Sequence, residues 1–421
     1  MDYDALIIGA GASGLAALRE LHRAGLHVLC IEALDRIGGR VYTVHDPASP
    51  EAIELGAEFI HGRPPQIFDL IEEARLPVVE RSHEIHPPDN APDSSDADYG
   101  GMWQVMSAME DAAEQEPDRS FAQFAAGAPF SDAAKRAATN YVEGFNAARA
   151  DVVSIQSLAQ ESKAADQIEG DRSFHLRQGY DAIARTLLPS ENAVRLNTVA
   201  QRVQWKRGEA IVHASTAGTA ETLRARHLII TVSLGVLQAG AIHFDPEPAS
   251  ALDAARALAF GDAVRVTIRF DSMPGFIRPG FILSDAPVFP TWWSSLPAPA
   301  PLITGWSAGP KADALRGKPS ERIVAYAIES LWRLTDAPLP PIAETYFHDW
   351  HADPFFRGAY SYVPAGKLSA RAQLAQPVED TLYFAGEAAN TSGHGATVHG
   401  AIESGRAAAR CVIAHCRSLG K

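Results

Sequence analysis

The stretch ALIIGAGASG, residues 5–14, decides the fold of this chain. Its four apolar residues predict a buried strand, and the glycine pattern after them is typical of a turn that opens a helix. Gly9 permits the tight turn, Gly11 lets the backbone approach a pyrophosphate, and Gly14 lets the helix pack on the strand. The phosphates would lie at the helix N-terminus, where free N–H groups favour negative charge. The stretch therefore predicts a dinucleotide-binding unit.

The residues that follow narrow the choice of dinucleotide. A second apolar run, residues 27–31, ends at Glu32, at the usual distance for a carboxylate that accepts from a ribose hydroxyl. An acid there disfavours a 2′-phosphate, so NADP is not expected. The segment RIGGR, residues 36–40, adds two glycines beside the same phosphates, and the planar fork of Arg40 can pair a phosphate. A plain glycine turn or a solvated loop would explain only parts of this pattern.

Two segments near the other end of the chain complete the cofactor prediction. They are YFAGE, residues 383–387, and GATVHGA, residues 395–401. Glu387 follows a predicted strand and can accept from a ribitol hydroxyl. A helix beginning near Thr397 would direct its N-terminus at the pyrimidine end of a flavin and stabilise the charge of the reduced ring. The two halves together predict FAD. His394 and His399 flank this helix start, and without a third ligand we expect packing or hydrogen-bonding roles, not a metal site.

The chain resembles the flavin-containing amine oxidases, which include monoamine, polyamine, spermine and L-amino acid oxidases and the lysine-specific histone demethylase. Further motifs that carry the resemblance are ELGAEFIHG at 54–62, DWHADP at 349–354 and GAYSY at 358–362. The resemblance extends over residues 4–62, 196–203, 228–238, 260–270 and 348–406. It implies an α/β protein in which a Rossmann-like FAD-binding domain is interleaved with an α+β substrate-binding domain, the amine oxidase fold.

The expected domains are discontinuous in sequence. Residues 1–75, 191–250 and 371–421 would form the FAD-binding domain. Residues 76–190 and 251–370 would form the substrate-binding domain. Residues 76–190 carry little of the resemblance and look helical, with an exposed polar loop at 86–101, and the sequence does not indicate their role.

The resemblance also implies which residues contact the cofactor, with Val203 near the adenine. The expected contacts are Gly9, Gly11, Ser13, Gly14, Glu32, Ala33, Gly39, Arg40, Ala57, Glu58, Phe59, Val203, Trp350, Gly386, Glu387, Thr397 and Val398. Monoamine oxidases attach the flavin covalently through a cysteine, and the matching residue here is Ala359. We therefore expect non-covalent FAD.

Four residues are expected on the substrate side by the same resemblance. Tyr360 matches an aromatic wall that guides the amine and excludes water. Thr397 replaces a second tyrosine of monoamine oxidases, which would widen the pocket or offer a hydroxyl. His61 matches a histidine that lines the pocket, where it would hydrogen-bond a substrate nitrogen or serve a structural role. Arg265 stands where the family usually has a lysine, so it would either slow the reaction with oxygen or bind a substrate carboxylate.

The predicted reaction is FAD-dependent oxidation of an amine to an imine by hydride transfer, followed by hydrolysis to a carbonyl compound. Hydrogen peroxide would form if oxygen is the acceptor. A polyamine or a primary or secondary amine is favoured, whereas Arg265 favours an L-amino acid. An amine dehydrogenase with another acceptor and a non-catalytic flavoprotein remain alternatives. A desaturase-like or porphyrinogen-oxidase-like flavoprotein is disfavoured by the segment that ends at Tyr360.

The amino-acid composition limits which binding partners and which cellular compartment we expect. The net charge is −14, from 37 basic and 51 acidic residues, which argues against nucleic acid and anionic membranes as partners and is compatible with a cationic substrate. Cys30, Cys411 and Cys416 show no zinc or disulfide spacing, and the first predicted strand begins within a few residues of Met1. We expect a cytoplasmic monomer or homodimer without a metal, whose partners are a small amine and oxygen or another acceptor.

Overall fold

The structure is a computed structural model that describes residues 2–89 and 96–418. Its strands are β1 (Tyr3–Ile8), β2 (Val28–Ile31), β3 (Thr43–Val44), β4 (Ile53–Glu54), β5 (Ile60–His61), β6 (Val78–Arg81), β7 (Ile85–His86), β8 (Ser173–Leu176), β9 (Val194–Arg195), β10 (Thr198–Lys206), β11 (Glu209–Thr216), β12 (Thr219–Ile230), β13 (His243–Asp245), β14 (Ala259–Gly261), β15 (Ala263–Phe270), β16 (Phe281–Leu283), β17 (Thr291–Ser294), β18 (Leu302–Ala308), β19 (Ile342–Phe347), β20 (Tyr360–Tyr362) and β21 (Leu382–Phe384).

Its α-helices are α1 (Ala12–Arg23), α2 (Pro65–Ala74), α3 (Asp96–Gln115), α4 (Phe121–Gly127), α5 (Asp132–Asn146), α6 (Ile155–Asp166), α7 (Asp181–Leu187), α8 (Leu234–Gln238), α9 (Ala249–Ala257), α10 (Pro310–Asp313), α11 (Ser320–Leu331), α12 (Ala370–Leu374) and α13 (Val398–Ser418). The expected loop at 86–101 is shorter than predicted, because α3 begins at Asp96. Residues 90–95 of that loop lie outside the described residues. No helix of the described part is long and apolar enough to cross a lipid bilayer.

The largest sheet has eight strands and is built from three distant parts of the chain. Its order is β13-β10-β11-β12-β1-β2-β9, and β21 pairs with the end of β12. The strands β2, β1, β12 and β21 run parallel, with Ile7 opposite both Cys30 and Ile229. Residues 5–7 are fully buried because both faces of this parallel region are covered. The apolar run that opens the chain therefore forms a central strand, as predicted.

The two faces of this sheet are covered by different elements. On one face α1 packs against α13, and their backbones approach so closely that a Cβ at Gly405 would lie 2.0 Å from the Ser13 carbonyl oxygen. Strand β8 and helix α7 belong to the same core through Phe174 and Ile183, although they lie in the segment expected to bind substrate. On the other face the β10–β12 meander packs with α8, α9 and α12.

A second sheet and a helical cluster make up most of the remaining chain. The sheet has six strands in the order β19-β15-β18-β17-β16-β7, and α11 covers it through Ile323 and Leu331. Helices α3 to α6 have their own core, which includes Met109, Phe121 and Val142. The functional site lies where the eight-stranded sheet, the six-stranded sheet and this helical cluster meet.

Candidate active site

A cavity of about 1760 Å³ brings the predicted motifs together. It is lined by the glycine turn, by residues 55–59, by the segment around Tyr360 and by the start of α13, and it continues between α3, α5 and α6. The lining includes these predicted site residues: Gly9, Gly11, Ser13, Glu32, Ala33, Gly39, Arg40, Ala57, Glu58, Phe59, His61, Arg265, Trp350, Tyr360, Gly386, Glu387, Thr397 and Val398. Gly14 and Val203 do not line it.

The first end of the cavity is shaped by backbone. Gly9 has a φ of +102°, and a Cβ at Gly14 would lie 1.9 Å from the Gly9 carbonyl oxygen, so the turn and the helix start touch directly. A Cβ at Gly11, by contrast, would meet its nearest neighbour, the Gly39 Cα, only at 3.9 Å. Gly14 therefore serves packing, whereas Gly11 leaves room for a ligand to approach the backbone.

Glu32 is positioned at this end by two backbone donors. Its carboxylate accepts from the Ala10 N–H at 2.6 Å and from the Leu34 N–H at 3.0 Å. Burial raises the pKa of the Glu32 carboxyl despite these hydrogen bonds. A hydroxyl donor from a ribose would favour the charged form further, which is the role the sequence predicted.

Two features of this end fit a dinucleotide. The hydroxyl of Ser13, in the first turn of α1, is buried and has no hydrogen-bond partner among the described residues. A buried hydroxyl at a helix N-terminus is suited to donate to a phosphate oxygen. The second feature is Gly386. Nothing lies within 4 Å of a Cβ built on it, so the backbone there is open to a ligand. We call this end, formed by Gly9–Ser13, Glu32, Gly38–Arg40 and Gly386, the cradle.

Arg40 and Glu387, which were expected to contact phosphate and ribitol, pair with each other. Arg40 Nη1 donates to Glu387 Oε1 at 2.9 Å and to the Ala359 carbonyl at 2.6 Å. The second carboxylate oxygen of Glu387 accepts from the Ser361 hydroxyl at 2.6 Å and from the Ala396 N–H at 3.1 Å. Burial acts to raise the pKa of Glu387, but Arg40, Arg371 and these hydrogen bonds hold it below its usual value. The pair joins the first and last motifs across the cavity.

Thr397 caps the helix that begins beside the cavity. Its Oγ1 accepts from the Gly400 N–H at 3.0 Å and donates to the His394 carbonyl at 2.8 Å. The hydroxyl is thus committed to the helix start, which favours a wider pocket over a substrate-binding hydroxyl. His399 follows in the first turn, 4.8 Å from the His394 ring, and burial lowers its pKa to about 3. Its Nε2 is buried without a partner among the described residues.

The wall residues line the same cavity and adjoin the Arg40–Glu387 pair through Ala359 and Ser361. Tyr360 lines the cavity, and its hydroxyl donates to the Phe145 carbonyl at 2.8 Å, so its ring is held in place by α5. The Trp350 indole donates to the Leu55 carbonyl at 2.9 Å and thereby fixes the segment 54–62. Ala359 lines the cavity, while the thiols of Cys30, Cys411 and Cys416 do not.

His61 borders the same space as a neutral imidazole. It lies with its ring 5.5 Å from the Phe145 ring and with Nδ1 3.3 Å from the Ser173 hydroxyl. Burial lowers the pKa of His61 to about 4, so the ring is uncharged at neutral pH. An uncharged imidazole can accept a hydrogen bond from an amine and does not repel a cation.

Arg265 and Glu58 form a buried ion pair that the sequence reasoning did not anticipate. Arg265 Nη2 lies 2.6 Å from Glu58 Oε2, and its Nη1 donates to the Gly56 carbonyl at 3.2 Å. The Trp293 indole donates to the same Glu58 oxygen at 3.0 Å. Burial acts to raise the pKa of Glu58, but Arg265 and His175 together lower it to about 2. The guanidinium is thus held by protein groups, which was not expected of a residue assigned to oxygen or substrate.

Glu54 lies beside this ion pair but, unlike Glu58, is protonated at neutral pH. Its carboxyl accepts from the Thr43 hydroxyl and from the Tyr180 N–H, each at 2.7 Å. Burial nevertheless raises its pKa to about 8, so Glu54 is neutral at pH 7. Glu54 and Glu58 lie four residues apart in one segment and differ because only Glu58 has a cation in direct contact.

The placement of Val203 near the adenine is not supported by the structure. Val203 is fully buried in the sheet core, opposite Val212, and lies outside the cavity. Val199, four residues earlier, lines the cavity instead. A bulge between Ala200 and Arg202 changes which face the following side chains point to, and a resemblance read along the sequence does not reveal it.

Comparison with known proteins identifies the family. The model of flavin containing amine oxidoreductases matches residues 12–413. The chain belongs to this family. This flavin amine oxidoreductase is 26% identical over 441 residues to polyamine oxidase 2 of Arabidopsis thaliana, covering 96% of the chain and 86% of that relative. It is also 26% identical to lysine-specific histone demethylase 2 of Homo sapiens, covering 95% of the chain and 52% of the demethylase.

Solved structures share the fold of this flavin amine oxidoreductase. Cyclohexylamine oxidase from Brevibacterium oxydans IH-35A superposes with a TM-score of 0.83 at 21% identity, covering 99% of this chain and 100% of the other. Putrescine oxidase bound to putrescine superposes with a TM-score of 0.81 at 21% identity, covering 98% and 99%. The predicted amine oxidase fold, the FAD cofactor and the assignment as an FAD-dependent amine oxidase are confirmed.

Among the described residues, no group of three or more His, Cys, Asp or Glu side chains is placed to hold a metal ion.

Proposed function

We propose that this enzyme oxidises a diamine or polyamine, or another primary or secondary amine, to an imine that water hydrolyses to a carbonyl compound. Bound FAD would accept the hydride equivalent from the carbon next to the nitrogen. The residues of this chain would bind the amine, orient it and exclude water.

The observation that carries the proposal is the charge of the cavity beyond the cradle. Apart from Glu32, Glu58 and Glu387, six carboxylates line the cavity, against Arg136, Lys311 and Arg357 as cations. The six are Glu110, Glu143, Glu161, Asp166, Asp171 and Asp285. An excess of carboxylates in a partly desolvated cavity raises the local concentration of cationic ligands. Relatives named polyamine oxidase and a structural neighbour that binds putrescine support the same substrate class.

The groups nearest the wall suit an uncharged reacting nitrogen. His61 and His399 are neutral at pH 7 because burial lowers their pKa values to about 4 and about 3. His61 can accept from an amine without adding positive charge, and Tyr360 presents an apolar ring face to it. A pocket of this kind favours the unprotonated amine, which is the form that can lose a hydride.

The environment of Arg265 weighs against an L-amino acid. A substrate carboxylate would have to compete with Glu58, whose contact with the guanidinium is 2.6 Å and buried. Displacing Glu58 would leave a buried carboxylate without its cation, which is costly.

The proposal is tested by anaerobic reduction of the bound flavin, followed by absorbance, with polyamines, monoamines and L-amino acids. Bleaching by diamines and polyamines at lower concentrations than by amino acids is expected. Bleaching by L-amino acids alone would overturn the proposed substrate class. If no amine bleached the flavin, a non-catalytic flavoprotein would be favoured.

A second candidate function is an amine dehydrogenase that uses an acceptor other than oxygen. The observation that favours it is the guanidinium of Arg265, which lines the cavity where the family usually has a lysine and is held by Glu58 and Gly56. Admitting air to the reduced enzyme tests this candidate. Slow reoxidation that accelerates in an Arg265→Lys variant would support it, with Arg269→Lys on the same strand as the control. Fast reoxidation of the wild type would refute it.

The form of FAD attachment is part of the proposal. Because Ala359 stands at the position of the attaching cysteine, acid precipitation should release all of the flavin into the supernatant. Flavin that stays with the protein pellet would contradict this.

A further inference from the structure

Four aromatic rings lead from the protein surface into the cavity. Trp103 of α3 is 50% exposed, and its ring lies 5.2 Å from Tyr141 of α5. Tyr141 stacks on Phe145 at 5.5 Å with an interplanar angle of 9°, and Phe145 lies 5.5 Å from His61. All four residues line the cavity. Since Trp103 and Phe145 are each half exposed, core packing does not explain the row.

Glu110 brings a negative charge to the outer end of this row. It lies seven residues after Trp103 on α3, so both side chains project from the same helix face, and both line the cavity. Its carboxylate accepts from the Ser162 hydroxyl of α6 at 2.7 Å and forms no ion pair with any of the described residues. Burial raises the pKa of Tyr141 to about 12, and the charge of Glu110 adds to the effect.

We propose that Trp103, Tyr141 and Glu110 form a subsite that binds the distal ammonium group of a diamine or polyamine, while its other end lies at the wall. An ammonium group is attracted both to the face of an aromatic ring and to a carboxylate, and here both kinds of group line the same cavity. This inference rests on the proposed oxidation of amines. It names the residues that would distinguish a substrate with two cationic ends from a substrate with one. We call these three residues the outer subsite.

The charges at the two ends of the cavity explain why the outer subsite would favour diamines over monoamines. The inner end presents the neutral rings of His61 and His399, whereas the outer subsite presents an anion. A diamine can therefore place an uncharged nitrogen at the wall and keep its second nitrogen protonated beside Glu110. A monoamine gains nothing from the outer subsite.

The test compares Glu110→Gln with wild type in anaerobic stopped-flow reduction, using 1,n-diamines and n-alkyl monoamines of matched length. The apparent Kd of diamines should rise about 10-fold, the size expected for loss of a partly desolvated ion pair, with the limiting reduction rate unchanged. The monoamines should change less than twofold. Trp103→Ala should weaken the same diamines by a smaller factor.

Glu114→Gln is the matched control. Glu114 lies one turn further along α3, pairs with Lys163 and does not line the cavity, so the same change of charge should leave diamine binding unaltered. Equal losses for diamines and monoamines in Glu110→Gln, or equal effects of Glu110→Gln and Glu114→Gln, would overturn the outer subsite.

Direct binding separates this inference from the proposed function. Calorimetric titration of the oxidised holoenzyme with the same series of 1,n-diamines under nitrogen needs no turnover. Binding that weakens in Glu110→Gln supports the subsite even if no amine reduces the flavin, in which case only the proposed function fails. Binding that is identical in wild type and Glu110→Gln overturns the subsite even if amines reduce the flavin.

Discussion

The cradle and the outer subsite occupy opposite ends of one cavity and are built from different parts of the chain. The cradle is made mainly of backbone: glycines at positions 9, 11, 38 and 39 are held against each other, and the Gly38 N–H donates to the Ala10 carbonyl at 2.9 Å. The outer subsite is made of side chains from two helices, α3 and α5, and Trp103 there is half exposed. A buried layer that contains the Glu58–Arg265 ion pair and the neutral Glu54 lies beside the same cavity.

This difference separates what binds the cofactor from what selects the substrate. Backbone groups cannot be exchanged by substitution, so the cradle depends on a few glycines whose replacement would close it. Side chains on helices can be exchanged without moving the backbone, so the outer end can change specificity while the cradle stays intact. The Glu58–Arg265 ion pair of the buried layer should be sensitive in stability, since neither partner can be replaced singly without leaving the other charge uncompensated.

The largest effect is expected in the cradle. In Gly14→Ala the new Cβ would lie 1.9 Å from the Gly9 carbonyl oxygen, so the turn or the helix must move. We expect the purified protein to contain little or no FAD, as measured by the ratio of flavin to protein absorbance. Gly100→Ala is the control, because this helical glycine has nothing within 4 Å of its Cβ. Full flavin content in Gly14→Ala would contradict the assigned packing.

A large loss of stability is expected in the buried layer. Glu58→Gln leaves the Arg265 guanidinium buried without its anion and should lower the free energy of unfolding by about 3–5 kcal/mol at pH 7. Because the pKa of Glu58 is lowered to about 2, the pair stabilises above the unfolded pKa near 4.5. The difference between wild type and variant should therefore shrink as the pH falls from 4.5 towards 2.

Urea unfolding measures this effect, and two variants serve as controls. Removing both partners in Glu58→Gln with Arg265→Met should recover much of the loss, whereas Glu114→Gln, an exposed pair, should change little. A Glu58→Gln variant as stable as wild type would show that the ion pair is not formed.

A moderate effect on cofactor affinity is expected from Ser13→Ala. The buried Oγ has no protein partner among the described residues, so its loss should not harm the apoprotein. Loss of a hydrogen bond to a charged phosphate should weaken FAD binding by about 10- to 100-fold. Fluorescence titration of apoprotein with FAD measures the affinity. An unchanged Kd, or an apoprotein with a lowered melting temperature, would place the hydroxyl away from the phosphates.

A further test concerns the pH dependence of stability. The folded-state pKa of Glu54 is raised to about 8, above its unfolded value, so the carboxyl destabilises the fold increasingly as the pH rises from 4.5 to 8. Glu54→Gln keeps a neutral side chain that can still accept from the Tyr180 N–H. Its stability relative to wild type should increase between pH 5 and pH 8, as followed by thermal unfolding. A constant difference over this range would contradict the raised pKa.

The cradle could be predicted from sequence because its determinants are local. Gly9, Gly11 and Gly14 lie within one turn and helix start, and Glu32 follows at the end of the next strand. Backbone geometry of this kind depends on residues a few positions apart, which a sequence displays directly. The return of the chain to the same sheet through β21 was also visible, because a second motif marks it.

The remaining parts depend on contacts that spacing does not encode. Arg265 and Glu58 are 207 residues apart, and Arg40 and Glu387 are 347 apart. A bulge between Ala200 and Arg202 shifts the faces of β10 without changing its composition, and the expected position of Val203 near the adenine stays a prediction. Helices α3 and α5, which form the outer subsite, lie in the region where the resemblance was weakest. The pattern of apolar and charged residues in this region predicts helices, but it does not indicate which helix face borders the cavity.

The central claim is that one cavity holds FAD at the cradle and a two-ended amine beyond it. The most direct measurement is the anaerobic rate of flavin reduction by n-butylamine, 1,4-diaminobutane and L-ornithine. The first has one ammonium group, the second has two, and the third has two ammonium groups and a carboxylate. The account predicts that 1,4-diaminobutane reduces the flavin at the lowest concentration, because its second ammonium is attracted to the carboxylates that line the cavity. Equal or better reduction by L-ornithine would contradict it.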